Sequence, residues 1–146
     1  QRKKGWKERV RSISGNIGIG DGNAETGPWD TIYKHIRKVS DMTFAGPTLT
    51  WVYLDEHPSS INDAGFFNPY VASWIDQPAT YHNGACGVAF ADGHSEIHKW
   101  VSSLKTRRAQ KVDTNRTTPD APVTMRPDPD ISWLSYRGGR VSEKTY

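Results

Sequence analysis

The sequence predicts an α+β domain: a small antiparallel sheet with one packed amphipathic helix and long loops. Three observations lead there. Asp92–Gly93 sits between two apolar-alternating runs, the chemistry of a tight hairpin. The run TLTWVYLDEH, residues 48–57, is rich in β-branched and aromatic types and is bounded by Gly46–Pro47 and Pro58, as a buried strand is. Trp29, Ile32, Tyr33, Ile36 and Val39 recur on one helical face, the period of an amphipathic helix.

Size and composition bound the rest. A chain of 146 residues suits a single core. Apolar types make up only 35% and aromatics 11%, with six Trp, so large rings must supply much of that core. Net charge is +3, which does not call for a polyanion, and no nucleic-acid partner is expected. The single cysteine, Cys86, excludes an internal disulfide and any paired-cysteine zinc site. No stretch of this sequence reaches the roughly 20 apolar residues of a membrane helix.

Along the chain, residues 1–12 form an exposed basic arm carrying Arg2, Lys3, Lys4, Lys7, Arg9 and Arg11 against Glu8, read as a solvated extended segment. Residues 13–112 are expected to form the globular domain. Gly15, Gly18, Gly20, Gly22 and Gly27 rule out a long helix at its start, leaving a loop with a short strand at 17–19. The helix then begins with Thr26 as cap and Pro28 in the first turn and runs to Val39. After the strand at 48–57, residues 58–81 read as irregular.

At the hairpin, a two-residue type I′ turn sets Phe90 opposite Ser95 and Val88 opposite Ile97. Val88, Phe90 and Ile97 then share one buried side, and Ala89, Ala91, His94, Glu96 and His98 the other. A short helix follows at 101–110. Pro119, Pro122, Pro127 and Pro129 make residues 113–146 an extended tail, with Ile131, Trp133 and Leu134 docking as an apolar anchor.

Several constellations carry candidate chemistry. Asp55, Glu56, His57 and Asp63, with His82, Asp92, His94 and His98, include possible metal ligands and acid–base groups. A metal-dependent hydrolase using Asp55, His57 and His82 is one alternative function. Strand geometry weighs against it, because His94 and His98 lie roughly 13 Å apart on one face and Asp55, Glu56 and His57 alternate across a strand end. These three residues are expected instead to terminate the strand and pin the SSIND loop through side-chain hydrogen bonds. Ser59 and Ser60 lack a nucleophile elbow, and Cys86 reads as a small buried thiol. Asp21, Asn23 and Glu25 resemble half of a calcium loop, but Thr26 and Ile32 stand where such a loop wants Gly and Glu. A second alternative is a carbohydrate- or surface-binding module with Trp51, Trp74 and Trp100 as platforms.

Taken together, LDEHPSSIND (residues 54–63), HNGACGVAFADGHSEIHKW (82–100) and PDISWL (129–134) resemble the C-terminal globular part of bacterial type II secretion-type pseudopilins. More specifically, they resemble prepilin-like proteins with the H-X9-DG motif, here His82, nine residues, then Asp92–Gly93. The resemblance runs from about Arg9 to Leu134. It implies a pilin-like structural subunit of an extracytoplasmic filament or secretion pseudopilus, not an enzyme. Its partners would be other pilin-like subunits in a homopolymer. The resemblance also implies a long N-terminal helix, cleaved by a prepilin peptidase and methylated, as the only membrane contact; this sequence lacks it. Major pseudopilins bind calcium in a loop, which makes calcium the one cofactor candidate here.

Overall fold

The computed structural model describes residues 11–20, 35–58, 60–61, 64–66, 76–101 and 129–139. They form a five-stranded sheet and one helix: β1 (Ile13–Asn16), β2 (Trp51–Asp55), β3 (Gly65–Phe66), β4 (Ala85–Phe90), β5 (Ser95–Lys99) and α1 (Pro129–Arg137). The strand order is β3-β1-β2-β4-β5. All neighbours are antiparallel except β1 and β3, which are parallel, so the architecture is α+β with a mixed sheet.

The strand expected at 48–57 forms at 51–55, and one irregularity decides what it buries. The register slips between Trp51 and Tyr53, the mark of a β-bulge. Trp51 and Leu54, three residues apart, are therefore both buried, while Tyr53 is exposed. The first strand comes earlier than expected, at Ile13–Asn16; Ile19 instead makes a single parallel bridge to Ile36.

The hairpin forms with a different turn. Val88 pairs with Glu96 and Ala89 with Ser95, one residue off the expected register. Phe90 N donates to His94 O at 2.9 Å and Gly93 N to Phe90 O at 3.0 Å, with Gly93 at φ 94° and no positive φ at Asp92. A type I′ turn needs positive φ at both central residues; a three-residue loop needs it only at its final glycine. The slip moves Ile97 to the face opposite Val88 and Phe90, where it is exposed, and brings His94, Glu96 and His98 onto the same face as Cys86, Val88 and Phe90.

The helix expected up to Val39 is not found in its described portion. Ile36 is in a β-bridge, Lys38 is extended at φ −149°, and Val39–Asp41 is a 3₁₀ turn with Val39 exposed. The helix of this fold lies instead in the segment expected to be an extended tail. Pro129 opens α1 and Gly139, at φ 99°, follows its end, the proline-first, glycine-last arrangement that suits helix termini. The anchoring expectation agrees with the structure there, since Ile131 and Leu134 are buried. The basic arm before Arg11, the helix at 102–110 and the tail at 113–128 lie outside the described residues.

One face of the sheet and α1 enclose the core: Trp51, Leu54, Phe66, Ala79, Cys86, Val88, Phe90, Trp100 and Leu134. Both buried indoles have their N–H satisfied, Trp51 Nε1 by Leu134 O at 3.1 Å and Trp100 Nε1 by Ala79 O at 2.8 Å. Trp51 also meets Phe66 edge-on at 5.8 Å. Among the described residues no helix is long and apolar enough to cross a membrane.

Candidate functional site

His82 lies just before β4 and Asp92–Gly93 just after it, so the motif marks the two ends of one strand. Six strand residues hold these ends roughly 20 Å apart. They build two separate braces and no shared centre.

At the first end, the alternation of β2 puts Asp55 on the sheet face away from the core. Its Oδ2 accepts from Gly87 N at 3.0 Å and stands 3.3 Å from His82 Nε2. A Cβ at Gly87 would lie 2.9 Å from Asp55 Oδ2, so a side chain there would push the carboxylate out of this contact. The His82 ring meets Tyr81 edge-on at 5.5 Å, and Asn83 and Gly84 turn the chain at φ 56° and 78°.

Glu56 points the other way and is fully buried. Ser14 Oγ donates to its Oε2 and Ser60 Oγ to its Oε1, the latter at 2.9 Å. Arg11 Nη1 donates to Ser14 Oγ at 2.6 Å, so a guanidinium compensates the buried carboxylate through a serine hydroxyl. Tyr81 Oη donates to Glu56 O, and Gln77 N to Ser60 Oγ at 3.1 Å. His57 is buried and its backbone N–H donates to Gln77 O at 2.8 Å. The pin on the loop after β2 runs through Glu56 and Ser60.

At the far end, Asp92 Oδ1 accepts from His94 N at 3.2 Å and lies 2.5 Å from His94 Nδ1. The His94 hydrogen bonds hold the Asp92 carboxyl below the usual carboxylate range. The His94 ring stacks flat on Phe90 with centroids 4.4 Å apart.

Cys86 is a core residue, as expected of a small buried thiol. Desolvation, then the charges of Asp55 and Glu96, push its thiol far above the ordinary value, which keeps it protonated and a poor nucleophile. Trp51 and Trp100 are fully buried and cannot serve as surface platforms. Exposed rings among the described residues include Tyr53, Tyr81 and Tyr136; Tyr53 lies over Gly15, 3.6 Å from the place of a Cβ there. With Ile13, Asp55, Gly87, Ala89 and Ile97 it lines a trough of about 290 Å³ on the open sheet face. Strand alternation was the signal that could have found this face, had the hairpin register been known.

Among the described residues no three His, Cys, Asp or Glu side chains are placed to hold a metal ion. Asp63, the calcium candidates Asp21, Asn23 and Glu25, and Trp74 lie outside the described residues. Comparison with protein-family models, with curated proteins and with solved structures finds no match for this chain.

Proposed function

We propose that this chain is the globular part of a pilin-like structural subunit, non-catalytic and extracytoplasmic, in a filament or a type II secretion-type pseudopilus. The observation that carries this reading is the use made of its acidic and imidazole side chains. Asp55 braces the start of β4 against His82, Glu56 ties the loop after β2 to β1, and Asp92 closes the hairpin against His94. The first two join segments distant in the chain and the third closes a turn, which is what a scaffold asks of polar groups, whereas catalysis asks them to converge on one cleft.

The open sheet face supports the same reading. Ile13, Tyr53 and Ile97 are each more than half exposed on it, at 51%, 55% and 62%, and an apolar sheet face of this kind is a packing surface for another element. On this reading the neighbours are pilin-like copies, assembled chiefly through apolar N-terminal helices.

The coding sequence upstream of Gln1 is the test. An apolar helix preceded by a prepilin peptidase signal supports the proposal; a catalytic domain in its place overturns it. Micromolar zinc or manganese binding that is lost in Asp55→Ala or His57→Ala would move the hydrolase ahead.

A further inference from the structure

Helix α1 is fastened to the sheet's last strand by a stack of rings. His98 of β5 lies face to face with Trp133 of α1, centroids 3.6 Å apart and planes 15° apart, and meets Trp100 edge-on at 4.8 Å. The Arg137 guanidinium also lies over Trp133, 4.4 Å from the ring centre. One indole thus carries both an imidazole and a permanent cation. The His98 side chain is only 19% exposed.

We propose that His98 and Trp133 form an acid-released clasp: when His98 takes up a proton, α1 lifts from β5 while the sheet stays folded. This goes beyond the structural role proposed above and does not depend on it.

The groups facing His98 set the direction. On its own strand, Glu96 Oε1 stands 3.7 Å from Nδ1. From α1 come Arg137 and Asp130, and both Asp130 oxygens already accept from Val101 N at 3.1 Å. From β4 the paired residue is Cys86, whose thiol stays neutral. Desolvation is the largest influence and lowers the His98 pKa; Arg137 acts with it, while Glu96 and Asp130 oppose. The docked state therefore binds the proton less well than the released one. Docking is at full strength above the ordinary imidazole value of about 6.5 and weakens as pH falls from there toward the lower docked value. In the core cluster Trp51, Leu54, Phe66 and Val88 carry no titratable group, and the buried Glu56 and His57 follow the end of β2, outside that cluster.

The test is an NMR titration of the full 146-residue chain from pH 7.5 to 5, following the His98 ring, the Trp133 indole N–H and amide exchange. We expect His98 to titrate below about 6.5, with the Trp133 signal moving at the same midpoint. Exchange protection over 131–137 should fall about tenfold for each unit between the released and docked pKa values, while β2 and β4 amides keep theirs. His98→Gln should hold α1 docked throughout. The proposal is overturned if Trp133 does not follow His98, if sheet protection is lost together with that of α1, or if His98→Gln shows the same acid transition. Should that variant not fold, the coincidence of the two wild-type midpoints decides.

Discussion

Gly93 and Gly87 favour glycine for different reasons. Gly93 has no heavy atom within 4 Å of a built Cβ, but its φ is 94°. A β-branched side chain there is strained by the backbone alone, and left-handed conformations cost about 1–2 kcal/mol per L-residue. Gly93→Val should therefore lower unfolding free energy by that amount in urea titration, and an unchanged midpoint would refute the turn geometry. Gly87 has an ordinary φ and a crowded neighbour, Asp55 Oδ2 at 2.9 Å. Gly87→Ala should displace the Asp55 carboxylate and cost about 1 kcal/mol, the worth of the hydrogen bond lost, and much less in an Asp55→Ala background, because the two residues touch. Additive losses would show that something other than the Asp55 brace favours glycine there. The Asp92–Gly93 pair announced a turn from sequence alone; the preference for glycine at Gly87 could not be read, because it depends on a carboxylate 32 residues away.

At the scale of elements, α1 is short, and its docking rests on a few side chains. Leu134 is fully buried against the core, Asp130 accepts from Val101 N, and Asn16 Nδ2 donates to Gly138 O at 3.3 Å. Leu134→Ala should cost about 2–5 kcal/mol, the range for emptying a well-packed leucine site, read from denaturant midpoints. A loss under about 1 kcal/mol would mean that α1 is not part of the cooperative core. The helix was poorly legible because its nine residues follow a proline-rich stretch, and four prolines outweighed the proline-first, glycine-last signature in the reading. The expected helix ending at Val39 fails in its described part for a related reason. Periodicity records which side chains are apolar, whereas Ile36 uses its backbone to bridge Ile19.

At the scale of the molecule, the described residues cover the sheet on one face and leave the other open, and the expected consequence is modest self-association. If apolar N-terminal helices drive assembly, the 146-residue chain at tens of micromolar should sediment as a monomer or weakly associating species, with or without calcium. A tight discrete oligomer would contradict the filament reading, since obligate interfaces bury far more than one trough of this size offers. The sequence by itself determined the α+β class, the strand at the TWVYL run, the hairpin's place, the buried thiol and the anchoring role of Ile131 and Leu134. These follow from local turn chemistry and from side chains with a strong preference for burial. Only the tertiary structure decided the bulge that buries both Trp51 and Leu54, the one-residue slip that turns Ile97 outward, the parallel pairing of β3 with β1, and the meeting of His98 with Trp133. A strand's side chains alternate with period two, so a single bulge or turn residue reverses every face beyond it. What sets that residue is the fit of distant chain segments, which no local pattern encodes.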